Sequence, residues 1–367
     1  MSNNELLRTE SIGKLLFRFS LPAIVGMMVN ALYNVVDRMY IGWIGPLAMT
    51  GIGLSLPLMV LIMGFAMLVG IGAGSRISIR LGQNRKEDAE KILGNAFTLL
   101  FLIMIGVMTF GLTFKTDLLY LFGASDATIG YASDYLTIIL YGAIFQGIGF
   151  GLTGVMRSEG NPKKAMYTTL IAAITNIVLD PILIFTFGLG IKGAAIATIF
   201  SQFISMMLVF HHFTIGKSNL KLYKKNLKLD MTIIISIISI GLSPFLMQVA
   251  ASLVSVVTNN ALKATGGDMA IGAMTVINAI VLFFMMPIFG INQGTQPIIG
   301  YNYGAKEYGR VKQALKLAIL AGTTISTIGF IMTQFLTVPL IKIFNSDPEL
   351  LAIATKGMRI FLIMLPV

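Results

Sequence analysis

No cysteine occurs among the 367 residues. That excludes a disulfide framework and thiolate metal sites, and leaves the compartment open. Histidine occurs twice, as the neighbours His211 and His212, so there is no histidine metal cluster; both are expected at the membrane interface, at the end of an apolar span. No Walker motif and no nucleophile–base pair is present, and the chain is read as a non-enzyme. Charge is scarce for this size: charged residues make up 12% of the chain against 56% hydrophobic, and the mean hydropathy is +0.83. So little polar surface cannot cover a soluble globule, which makes this an integral membrane protein.

What is present is a series of apolar runs. Stretches long enough to cross about 30 Å of hydrocarbon as helices fall at roughly 15–40, 48–73, 94–115, 131–155, 165–187, 193–213, 232–262, 269–298, 315–338 and 357 onward. The polar start, Met1–Glu10, leads into a run too long for a signal peptide. The net charge of +11 is not spread evenly. Lys and Arg collect in alternate loops: Arg76, Arg80, Arg85, Lys86 and Lys91; Arg157, Lys163 and Lys164; Lys217, Lys221, Lys224, Lys225 and Lys228; Lys306, Arg310, Lys312 and Lys316. Such alternation places those loops and the N-terminus in the cytoplasm of a multi-pass plasma-membrane protein and argues against a nucleic-acid partner.

The chain also repeats itself. Shifting it by 222 residues lays Pro22 on Pro244, Val35 on Val257, Gly45 on Gly267, Gly72 on Gly294, Gly82 on Gly304, Phe122 on Phe344 and Ala132 on Ala354. Six spans per copy return the chain to the side on which it began, so the copies are parallel and related by an axis along the membrane normal, with a central cavity between them. The expected organisation is an N-terminal lobe, 1–216, a basic cytoplasmic linker, 217–230, read as a solvated loop, and a C-terminal lobe, 231–367. The second copy stops within span 10, and the repeat predicts about 75 further residues. The fold class is therefore all-α, with two parallel six-helix repeats, 12 helices when intact and about 9.5 present here.

Ionisable groups inside hydrocarbon are costly and count as functional candidates. Asp37 lies deep in span 1 and Asp180 deep in span 5. Asn30, Asn34 and Asp37 share one face of span 1, and Asn176 and Asp180 are one turn apart. With Thr198 one or two turns into span 6, they form a hard-oxygen cluster suited to Na⁺ or to carrying a proton on a desolvated carboxylate. The shift places Asn259 opposite Asp37, so the coupling chemistry belongs to the first lobe. Gln146, Gln248, Asn259, Asn278 and Gln293 join Asn30 and Asn34 as candidate cavity polar groups. Pro22, Pro181 and Pro244 are candidate hinges, because proline frees a backbone carbonyl. Gly70-Ile71-Gly72-Ala73-Gly74 lies inside a hydrophobic helix and reads as close helix packing rather than a phosphate loop.

The string Gly290-Ile291-Asn292-Gln293-Gly294-Thr295-Gln296-Pro297-Ile298-Ile299-Gly300-Tyr301-Asn302-Tyr303-Gly304-Ala305 resembles the span-8 signature of multidrug and toxic compound extrusion (MATE) transporters. Asn176-Ile177-Val178-Leu179-Asp180-Pro181 and Gly193-Ala194-Ala195-Ile196-Ala197-Thr198 resemble spans 5 and 6 of its DinF/MepA-like branch. The resemblance implies secondary active export of bulky amphipathic, often cationic drugs against H⁺ or Na⁺, with no other cofactor. Asp37, Asn176, Asp180 and Thr198 match the family's first-lobe cation pocket. The chain departs from the NorM-like branch, which has an acidic residue in span 7. Membrane lipids and small-molecule drugs are the expected partners, and the protein is expected to be monomeric. The alternative is a lipid-linked precursor flippase of the same superfamily, for which the spans offer almost no interior Arg or Lys.

Overall fold

Runs this apolar can satisfy their backbone in hydrocarbon only by coiling, and the computed structural model is helical throughout its long elements. It describes residues 3–342 and 348–362, among which no strand occurs. A short helix α1 (Asn3–Thr9) precedes α2 (Ile12–Ile44), α3 (Pro46–Gly82), α4 (Lys86–Leu121), α5 (Ile129–Ser158), α6 (Pro162–Pro181) and α7 (Ile191–Thr214). The second half comprises α8 (Met231–Gly304), α9 (Tyr308–Phe335), α10 (Thr337–Lys342) and α11 (Pro348–Phe361). Among the described residues, eight helical stretches are long and apolar enough to cross a membrane, which makes this a multi-pass membrane protein.

The sequence predicts two spans where α8 runs for 74 residues without a break in its helical backbone. A straight helix of that length would reach about 110 Å. Instead Ile237 lies against Gly72 and Gln296 against Ile71, so both limbs flank α3 and the run doubles back on itself.

The 222-residue offset reappears in the packing. A methyl group at Gly82 would collide with the carbonyl oxygen of Tyr301, and one at Gly304 would collide with that of Ile79. Gly82 and Gly304 are repeat mates, and so are Ile79 and Tyr301, so one contact is made twice with the roles exchanged. Gly300 sits directly on its own mate: a Cβ there would lie 2.6 Å from that of Ser78. Such self-pairing marks a pseudo-two-fold axis. Mates meet at the same depth on parallel helices, so the axis runs along the bundle.

The two ends of the bundle differ. One carries the basic loops. At the other, Trp43 packs edge-on against Tyr40 with ring centroids 5.4 Å apart and tilts against Phe185 at 6.1 Å, the amphipathic ring type favoured at a membrane–water boundary. The linker 217–230 differs from the expected solvated loop. Its lysines Lys224, Lys225 and Lys228 are exposed, but Asn95 holds its backbone at Asn226, Lys228 and Asp230, and Thr98 holds it at Leu227. The reading of both histidines as interfacial is also corrected. His211 is exposed, whereas His212 is buried and paired with the buried carboxylate of Glu159, which also accepts from Ser218. A buried carboxylate partner in the turn just beyond α5 is what draws it inward.

Candidate functional site

Near the aromatic end, α2, α6 and α7 bring four polar side chains together. Asp37 on α2 is 8% exposed, Asp180 and Asn176 on α6 are fully buried, and Thr198 on α7 is 6% exposed. The Asn176 amide donates to Asp180 Oδ1 at 3.3 Å and to Thr198 Oγ1 at 3.5 Å. The Asp37 and Asp180 carboxyl groups lie within hydrogen-bonding reach of one another. Arg38, adjacent to Asp37 in the chain, is exposed and makes no ion pair with it.

Three oxygens of this cluster, Asp37 Oδ1, Asn176 Oδ1 and Asp180 Oδ2, are buried without a hydrogen-bond partner. Acceptors removed from water without donors are costly. A bound monovalent cation can meet all three, whereas a proton on one carboxyl group supplies a single donor and relieves the like charge of the pair. The donor set of carboxylate, amide and hydroxyl oxygens fits a hard cation such as Na⁺.

An apolar shell surrounds the cluster. Ile41 follows Asp37 by one turn, Ile184 follows Asp180 by one turn, and Ala194 precedes Thr198 by one turn; all three are buried in a single core group with Tyr135 and Ile139. Because α7 runs opposite to α2 and α6, these three residues lie on the same side and roof the site towards the aromatic end.

Proline shapes the α6 wall. Pro181 ends the regular ladder, and Ile182–Thr186 form a π-helical turn closed by Phe187 N–H to the Ile182 carbonyl at 2.9 Å. Such turns re-aim neighbouring side chains, here one residue beyond Asp180.

Two tyrosines of the site were not among the sequence candidates. Tyr33 and Tyr135 both lie close to Asp37 and Asp180, and Tyr135 is buried. In the sequence, Tyr135 sits near a span end beside Asp134, where an interfacial anchor is the ordinary reading. The structure instead turns Asp134 outward to Lys192 at 3.2 Å.

The candidate cavity residues divide. Asn34 donates to the Asn30 carbonyl at 2.7 Å, on the helix that carries Asp37. Gln146 is not in the cluster; helix rise places it about 16 Å along α5 from Tyr135, with Oε1 buried and unpaired. From the second half, Gln248 lies beside Gly64 of α3, and Gln293 approaches Met27 Sδ at 3.8 Å, so both face the seam between the halves. Phe65 and Phe245 stack across that seam with centroids 4.8 Å apart. Asn278 is exposed, away from the cluster, and the side chain of Asn259 lies outside the described residues. Pro22 is buried within α2, and Pro244 is half-buried within α8.

Two parallel helical repeats, the first of which buries a pair of carboxylates among its membrane-spanning helices, define a membrane transporter rather than an enzyme. The chain belongs to the MatE family, whose model matches residues 22–182 and 243–367. It is 29% identical over 353 residues to the multidrug export protein MepA of Staphylococcus haemolyticus (strain JCSC1435), covering 95% of this chain and 77% of that protein. It is 29% identical over 354 residues to MepA of Staphylococcus aureus (strain MSSA476), with the same coverage. Among solved structures, an outward-facing multidrug resistance MATE family transporter superposes with a TM-score of 0.93 at 25% identity, over 100% of this chain and 82% of that one.

Proposed function

We propose that this protein is a secondary active multidrug exporter that exchanges bulky amphipathic, often cationic compounds for inward-moving H⁺ or Na⁺. In this reading it sits in the plasma membrane with its basic loops and N-terminus in the cytoplasm. The observation that carries the reading is the set of three buried, unpartnered oxygens on Asp37, Asn176 and Asp180. A cation taken up there neutralises like charge and draws α2 towards α6. It stabilises one access state over the other only by that difference in affinity.

The relatives named multidrug export proteins support the drug side of the exchange. So does the seam, where Phe65, Phe245, Met27, Gln248 and Gln293 offer aromatic faces, a thioether and neutral amides. Aromatic faces attract large cations, and flexible thioethers adapt to many shapes. A lipid-linked precursor flippase would need cationic side chains there to meet a pyrophosphate. Ethidium efflux and labelled-lipid movement, measured in the same vesicles, separate the two: efflux without lipid movement is expected, and lipid movement without efflux would reverse the assignment.

A further inference from the structure

At the basic end, each half is tied to the other by the segment that leads into its first span. The lead-in to α8 lies on α4 of the first half, where Asn95 and Thr98 hold it. The lead-in to α2 lies on the second half. The Leu7 carbonyl accepts from Asn302 Nδ2 at 3.3 Å and from Arg310 Nη2 at 3.1 Å, and the Glu10 carbonyl accepts from Arg310 Nη2 at 2.7 Å. Arg310 Nε in turn donates to Asn302 Oδ1 at 2.8 Å. Asn302 is fully buried at the end of α8, and Leu7 is buried in the main core.

We propose that Arg310 and Asn302 are positioning residues for transport: a latch that holds the basic end shut by gripping the backbone before α2, and that must release when the protein opens on that side. Three observations carry this. The grip is charge-assisted and multidentate, so it is strong and directional. Its acceptors are main-chain carbonyls at the foot of α2, the helix that also carries Asp37 and Pro22. And it lies beside the Gly82–Tyr301 and Gly304–Ile79 contacts, where the halves already touch backbone to backbone. An inward-opening movement about the pseudo-two-fold axis cannot part those contacts while the lead-in of one half stays bonded to the other. Arg310 touches neither the cation cluster nor the seam aromatics, so it acts through the position of α2.

The inference assumes a protein that alternates between access states, but the labelling test does not depend on which compound or ion moves. The chain has no cysteine, so Ser78→Cys provides a single reporter, buried on the axis. A membrane-impermeant maleimide is applied from the side of the basic loops to the reporter alone, with Arg310→Ala, and with residues 3–10 deleted. Loss of the grip should speed labelling by at least about tenfold in either variant, the effect of one charge-assisted hydrogen bond. Combining the two should add nothing further, and Arg310→Lys should fall between. Drug turnover should drop severalfold with the half-saturating drug concentration unchanged. Labelling equal to the reporter alone in both variants would overturn the latch. Should Arg310→Ala fail to reach the membrane, the deletion decides, because it removes the acceptors without touching α8 or α9.

Discussion

Asn176 bridges Asp180 and Thr198 through one amide group, at 3.3 and 3.5 Å, tying the carboxylate of α6 to the hydroxyl of α7. If Thr198 supplies one cation ligand, removing its hydroxyl while keeping its shape should weaken ion uptake without abolishing it. Thr198→Val is expected to raise the cation concentration for half-maximal export about tenfold, the scale of one lost polar partner, with the maximal rate little changed. Efflux titrated against Na⁺ and against pH measures this; an unchanged midpoint would remove Thr198 from the site.

Asp37→Asn is expected to cut gradient-driven export by about 100-fold, near the upper end of ordinary coupling free energies. Arg38→Ala should change it less than twofold, since Arg38 is exposed and unpaired with Asp37. The two variants, compared at equal membrane abundance, separate a coupling role from an interfacial one. A mild Asp37→Asn effect would shrink the site to α6 and α7.

Pro22 lies in the stretch of α2 that packs on the second half, where Ser20 meets Gly294 and Ile24 meets Gly290; further along, Met27 still touches Gln293, while Gly26 approaches Thr169 of α6 and Asp37 reaches Asp180. A helix with a weakened ladder at that point can bend between two sets of neighbours. Pro22→Ala should therefore lower turnover severalfold and leave drug affinity within about twofold. Spin labels on α2 and α6 should change separation on cation binding or acidification in the parent and much less in the variant. A separation that never changes would leave rigid rocking of the halves.

Much of this was legible because the membrane makes polar residues conspicuous. Asp37, Asn176, Asp180 and Thr198 stand out in apolar runs, and helical spacing alone aligns Asn176 with Asp180. The repeat was legible through glycines such as Gly82 and Gly304, whose packing reason appears only when each meets the other half's backbone. Tyr135 was hidden because an amphipathic side chain near a span end is at home in an interface; only packing against α2 and α6 turns it inward. His212 was hidden for a related reason, since its partner Glu159 lies in a loop 53 residues away. The reversal within α8 was legible too, as the polar stretch from Lys263 to Asp268 with Gly266-Gly267 between the two predicted spans.

The reciprocal glycine contact makes a stability prediction. Gly82→Ala and Gly304→Ala should each cost about 1–3 kcal/mol, because the new methyl meets a carbonyl of the other half and the core cannot absorb it. Gly106, with open space around it on α4, is the control: Gly106→Ala should be neutral or stabilising by up to about 1 kcal/mol. Thermal unfolding in detergent ranks the three, and equal costs at Gly82 and Gly106 would contradict the close approach.

If the buried Asp37–Asp180 cluster couples ion entry to export, drug efflux from proteoliposomes under an imposed Na⁺ gradient or an imposed pH gradient, one at a time, should distinguish the parent chain from Asp180→Asn. At least one gradient should drive efflux by the parent, and neither should drive it in the folded variant. Gradient-driven efflux at the parent's rate by well-folded Asp180→Asn would contradict that coupling.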